Sequence, residues 1–132
     1  MTAAPRALRV PPDAGQHTTA GPYSPVIEVT PGKLVVISGQ GAITPDGSVT
    51  PGGIREQTHA TLDNCRRQLR HAGADFADVF KVNVYLRDLS DWPAFNDAYA
   101  EVMPQPLPVR TAVGADLLLT LRVELEMWAV LP

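Results

Sequence analysis

The chain carries one cysteine, Cys65, in 132 residues, so no disulfide can form within it. A lone thiol suits a reducing compartment, and a cytoplasmic protein is expected. Histidine is scarce too: His17, His59 and His71 stand far apart, with no Cys or His at ligand spacing. That excludes the usual zinc signatures, and no metal is expected. No apolar run approaches the roughly 18 residues of a membrane span, and the N-terminus has no hydrophobic signal region. A membrane partner is therefore not expected. Positive charge is also lacking. A net charge of −3 gives no general attraction to nucleic acid, so none is expected as a partner. Arg66, Arg67 and Arg70 do cluster, but beside Asp63 they read as one solvated helix face.

What is present is an ordinary globular composition, 45% hydrophobic and 19% charged, at a length that supports one domain with its own core. Residues 1–20 are rich in Ala, Pro and Thr without period and are expected to be an arm, partly disordered or laid over the surface. "VIEVTPGKLVVISG" then places two apolar runs around Pro31-Gly32-Lys33, a hairpin signal. The run Leu34 to Ile37 is continuously apolar and predicts a strand covered on both faces. Residues 43–53 carry turn signals around at most a short edge strand.

Ile54, Thr58, Leu62, Cys65, Leu69 and Ala72 fall on one stripe of a 3.6-residue period, so a helix is expected that Gly73 ends. Cys65, on that stripe, reads as an inert core thiol. Phe80, Val82, Val84 and Leu86 alternate with Lys81, Asn83 and Tyr85, the pattern of a strand. A second helix begins near Ser90 or Asp91 with Pro93 in its first turn, and its stripe is Trp92, Phe95, Tyr99 and Val102. "MPQPLP" (103–108) breaks it and delivers an extended chain to Val109, where a strand begins. In the last strand Leu119, Leu121, Val123, Leu125 and Met127 alternate with polar neighbours. The order is ββ(β)αβαββ, an α+β sheet with two helices on one face. The other face has no helices left to cover it, and association with further copies of the chain is the simplest remedy.

One residue stands out. In "PVRTAV" (108–113), Arg110 is a fixed cation among Val109, Ala112 and Val113. A guanidinium is rarely taken out of water without an anion to meet it. The anion is either internal, with Asp116, Glu124 and Glu126 as candidates, or a ligand. Glu124 itself is either one charge on a solvated strand face with Arg122 and Glu126, or a base that holds a water. Pairing of the last two strands as a simple hairpin would set Arg110 opposite Glu124, because the two are symmetric about Leu117. No Ser-His-acid or Cys-His set for nucleophilic catalysis is apparent.

Four separated motifs, "GPYSP" (21–25), "ISGQ" (37–40), "FNDAY" (95–99) and "PVRTAV…VELE" (108–126), together resemble the RidA (YjgF-type) family of enamine/imine deaminases. The resemblance runs from about Gly21 to Val130 and implies a single domain over 21–132. It also implies a chorismate-mutase-like mixed sheet, a homotrimer with sites between subunits, and a sheet order that separates the last two strands. The implied activity is cofactor-free hydrolysis of reactive 2-imino acids, such as 2-iminopropanoate from 2-aminoacrylate, to a 2-oxo acid and ammonia. Carried over residue by residue, Arg110 grips the substrate carboxylate and Glu124 positions water. Tyr23, Ser38, Gly39, Asn96, Thr111 and Ala112 line the pocket.

Arginine suits the first task, because its planar fork meets a carboxylate bidentately and stays charged at any working pH. Two departures stand out. Ala112 occupies a position where the best-known subgroup has cysteine, and Leu117-Leu118-Leu119 is unusually apolar where a Leu-Pro is common. Both point towards a family enzyme specialised for a bulkier or more apolar imine, enamine or carbonyl substrate. A third reading is a trimer that acts by binding a small ligand, or in the translation-inhibitor and ribonuclease roles attributed to some relatives. Acidity and the lack of a basic-aromatic surface count against the ribonuclease version.

Overall fold

The structure, a computed structural model, describes residues 7–17 and 20–132. Residues 1–6 and 18–19, which fall in the expected arm, lie outside the described residues. In chain order the elements are β1 (Leu8–Arg9), β2 (Glu28–Val29), β3 (Lys33–Gln40), α1 (Ile54–His71), β4 (Val79–Leu86), α2 (Trp92–Val102), β5 (Val109–Gly114) and β6 (Val123–Leu131). The main sheet has the order β3-β6-β4-β5. β6 runs antiparallel to both β3 and β4, whereas β4 and β5 are parallel. A parallel pair needs a crossover, and α2 supplies it. The last two strands are therefore not neighbours, because β4 lies between them.

Both helices pack on one face of this sheet. The stripe of α1 buries Leu62, Cys65 and Leu69 completely, and they meet Phe95 and Tyr99 of α2 and Val82, Val84, Leu125 and Met127 of the sheet in one core. Each such side chain contributes roughly 1.5–3 kcal/mol by leaving water. α1 is held at its start by Glu56, whose carboxylate accepts from the Gly53 N–H at 2.9 Å, and it ends before Gly73 at φ 81°. Burial raises the pKa of Cys65 to about 12, so the thiol stays protonated and inert.

Three expectations need correction. The apolar runs flanking Pro31 form no hairpin, since β2 pairs with β1 in a separate two-stranded ribbon. The Thr30 N–H donates to the Ala7 carbonyl at 2.7 Å, and β3 takes its hydrogen bonds from β6. Pro31, lacking an N–H, cannot donate to a ladder of its own. The last strand starts at Val123 rather than near Leu119, because Leu119 has φ 54° and the backbone from Leu117 to Leu121 is held as a loop by Arg87. Finally, within this chain β3 is covered on one face only: Val35 and Ile37 are buried, but Leu34 is 63% and Val36 58% exposed. They project from the helix-free face, Val36 opposite Trp128 of β6, and Asn83, Tyr85, Glu124 and Glu126 are half-buried on the same face.

Candidate functional site

Arg110 is on β5 opposite Val82 of β4, and that register points its side chain towards the helix-covered face. It is only 9% exposed. Four aromatic rings surround the guanidinium: Tyr99 at 4.9 Å from its central carbon, Tyr23 and Trp92 at 5.0 Å, and Phe95 at 5.4 Å. The chain holds only two Trp, three Tyr and three Phe, so half of its aromatic residues enclose one cation. Ring faces attract a cation without hydrogen bonding it. Among the described residues the guanidinium's one hydrogen bond to a side chain runs from Nη2 to Asn96 Oδ1, 2.7 Å long. Buried Nη1 has no partner, and among the described residues no carboxylate reaches Arg110. The internal acids Asp116, Glu124 and Glu126 are thus excluded as its anion within this chain. Burial lowers the pKa of Arg110, partly opposed by Tyr99 and Tyr23, and the group remains charged.

Local sequence explains the cage. Pro93 starts α2 so that Trp92, Phe95, Asn96 and Tyr99 share the side facing β5. Asn96, which the resemblance places in the pocket lining, is half-buried against the guanidinium. The "GPYSP" loop is tied to the proline-rich approach of β5 by Ser24, whose hydroxyl donates to the Leu107 carbonyl at 2.5 Å and whose N–H donates to Pro108 at 3.2 Å. Gly21 lets that loop close. A Cβ there would come within 3.0 Å of Asn96 Nδ2 and 3.2 Å of Arg110 Nη2. Sequence reading placed Trp92, Phe95 and Tyr99 in the core stripe and gave Gly21 no role. Scarcity of aromatics near a buried arginine is the signal that would have found them.

Glu124 is elsewhere. It sits on β6 opposite Tyr85, on the helix-free face, half-buried between the inward-facing Val123 and Leu125. Its carboxylate lies over Gly39, where a Cβ would collide with Glu124 Oε2. The register of β3 against β6 shifts between Ile37 and Gln40, so Ser38 and Gly39 form an irregularity in the strand. Such bulges commonly re-aim groups next to active sites. Glu126, two residues on, is already engaged: it accepts from Tyr85 Oη at 2.5 Å and Asn83 Nδ2 at 3.0 Å. Among the described residues no side chain or backbone N–H donates to Glu124 within hydrogen-bonding distance.

The residues expected to form one pocket thus fall into two groups. Arg110, Asn96, Tyr23 and half-buried Ala112 gather at the β5 edge; Ser38, Gly39 and Glu124 gather on the outer face of β3 and β6. Thr111, opposite Asn83, is exposed on the outer side of the sheet. A cleft of about 680 Å³ contains neither Arg110 nor Glu124; Arg87, Asp88, Asp91 and Arg122 are among its lining. The geometry around the cation and the bulge carries more chemical meaning than that open groove.

The family model described as Endoribonuclease L-PSP matches residues 15–131. The chain belongs to this family, the RidA (YjgF) family. Among RidA relatives, the Schizosaccharomyces pombe protein mmf2, mitochondrial, is 39% identical over 107 residues, covering 81% of this chain and 82% of that protein. The 2-iminobutanoate/2-iminopropanoate deaminase of Dermatophagoides farinae is 36% identical over 113 residues, covering 84% and 87%. The crystal structure of the Rid-family protein YyfB of Yersinia pestis superimposes with a TM-score of 0.77 at 26% identity, covering 95% and 99%. The RidA α+β fold, two helices on a mixed sheet, is thereby shared. Among the described residues no helix is long and apolar enough to cross a membrane.

Proposed function

We propose that this protein hydrolyses 2-imino acids to 2-oxo acids and ammonia, in sites completed between the subunits of a homotrimer. The observation that carries the reading is Arg110: a buried cation with one unpartnered N–H face and no anion beside it among the described residues. A buried donor without a partner costs about 1–3 kcal/mol, which an arriving carboxylate returns. Named deaminases among the relatives support the same activity.

Glu124 supplies the other half. With the substrate carboxylate held by Arg110, a water on Glu124 attacks C2 of the protonated imine. Glu124 takes one proton of that water as the C–O bond forms, and the C=N π pair moves onto nitrogen. Glu124 then returns a proton to nitrogen, which leaves as ammonia while the hydroxyl oxygen closes the carbonyl and its proton passes to solvent. Neither carbon nor nitrogen changes its oxidation state, so the reaction needs no electron carrier. Positioning and fixed charge supply the acceleration.

The two groups of residues stand on opposite faces of one sheet, which supports a site shared between copies. One subunit would contribute Arg110, Asn96, Tyr23 and Ala112, with Thr111 on the outer side of the same strand, and its neighbour Ser38, Gly39 and Glu124. Exposed Leu34 and Val36 supply the apolar contact such an assembly needs. The test is direct: generate 2-iminopropanoate in situ and follow its decay with the protein and with Arg110→Ala. Accelerated decay that needs Arg110 is expected; a variant as active as the parent would refute the carboxylate clamp.

A further inference from the structure

A cleft of about 390 Å³ opens beside Glu124, lined by Tyr85, Ala115, Asp116, Leu117 and Leu118. Its wall is a fixed loop. Arg87 donates from Nη2 to the Leu117 carbonyl at 2.6 Å and the Leu119 carbonyl at 3.0 Å, and from Nε to the Leu121 carbonyl at 2.7 Å. The Ala115 N–H donates to the Leu86 carbonyl at 2.9 Å, anchoring the loop's other end to β4. Held this way, the loop keeps Leu118 77% exposed beside the cleft, while Leu119 turns into the separate groove beyond it. The Tyr85 hydroxyl is committed to Glu126, which leaves its ring as lining surface.

We infer that this cleft receives the side chain of the substrate and selects apolar, branched or aromatic groups. The inference rests on the deaminase reading above. In a 2-imino acid the side chain is bonded to C2, the carbon that the Glu124-held water attacks, so its first carbon lies only one water molecule beyond that carboxylate. On one side of Glu124 stand Gly39 and Ser38, where the carboxylate already fills the space over the glycine. On the other side lies the leucine-lined cleft. Asp116 at its rim repels a second carboxylate, so acidic side chains are disfavoured. The cleft is at the small end of ligand cavities, roughly 300–1,000 Å³, and a methyl group would leave most of it empty.

The experiment measures binding and turnover in parallel. Pyruvate, 4-methyl-2-oxopentanoate and 2-oxoglutarate are titrated by calorimetry as product ligands. The imino acids of alanine and leucine are generated in situ by an amino-acid oxidase and their decay followed. The branched 2-oxo acid is expected to bind roughly tenfold more tightly than pyruvate, with 2-oxoglutarate weakest. Leu118→Ser, at an exposed position that folding does not depend on, should bring the branched-to-methyl ratio close to one in both measurements. Equal affinity for pyruvate and the branched acid, or a ratio that Leu118→Ser leaves unchanged, overturns the inference. Preferential binding of the branched acid without hydrolysis of any imine would refute the deaminase reading and leave the side-chain cleft standing.

Discussion

Arg110 and Glu124 point away from each other through the same sheet. Arg110 lies opposite Val82 of β4 and enters the helix-covered face, whereas Glu124 lies opposite Tyr85 and enters the other. Because successive side chains alternate, residues of odd separation on β4 cannot bring their partners to one side. A cation and a carboxylate kept apart in this way do not neutralise each other within a chain, and both remain available to a third molecule.

That separation predicts complementation. Arg110→Ala and Glu124→Gln are each expected to lose activity as homotrimers. Co-expressed, they should form mixed trimers, so that over the whole statistical mixture about a quarter of the sites pair an intact Arg110 with an intact Glu124 from a neighbour. Recovery near a quarter of the parental rate is expected from the purified mixture. No recovery in confirmed mixed trimers would place both groups in one subunit's site.

Arg110 has been kept at a cost to the fold. Its desolvation is offset by four ring faces and Asn96 and by no negative charge. Arg110→Met is therefore expected to abolish 2-oxo acid binding while leaving the melting temperature no lower than the parent's. Thermal melting beside a ligand titration checks this, and a large drop in melting temperature would mean the cation holds the fold together.

Leu34 and Val36 form an apolar surface on the edge strand β3. Leu34→Asp puts a charge there without touching the core, since Val35 and Ile37 are the inward residues. Light scattering is expected to show a trimer for the parent and monomers for the variant. An unaltered mass would mean that subunits meet elsewhere.

Tyr85 and Glu126 supply a pH signature. The hydrogen bond from Tyr85, and then that from Asn83, holds the Glu126 carboxyl below its ordinary value of 4.5. The same bond, and then burial, raises the Tyr85 phenol above its ordinary 10.0. A depressed carboxylate stabilises the fold above its unfolded pKa, and that contribution is lost as pH falls through the folded one; a raised phenol stabilises below its unfolded pKa and loses the contribution as pH rises through the folded one. The pair thus supports the fold from about pH 5 to 10. Tyr85→Phe should cost about 1 kcal/mol at neutral pH after allowance for solvent screening. The gap between urea midpoints should close as pH falls from 4.5 through the lowered pKa of Glu126; a gap that stays the same throughout the acid range would remove the ionic contribution.

Sequence by itself determined the parts whose physics is local. The 3.6-residue stripe from Ile54 to Leu69 had to bury one face, the alternation from Val82 to Leu86 had to form a strand, and Pro93 and the run to Pro108 had to bound the second helix. It also marked Arg110 as a cation in need of an anion, and the four motifs named the family. Tertiary structure alone decided what depends on distant partners. Pro31 and Ala7 turned an apparent hairpin into two separate pairings, and Arg87 reached across thirty residues to make a loop of what alternates like a strand. Above all, the placing of β4 between β5 and β6 set Arg110 and Glu124 on opposite faces. Sheet order is set by which strands bury most apolar surface together, a property of the whole chain that no short window of sequence contains.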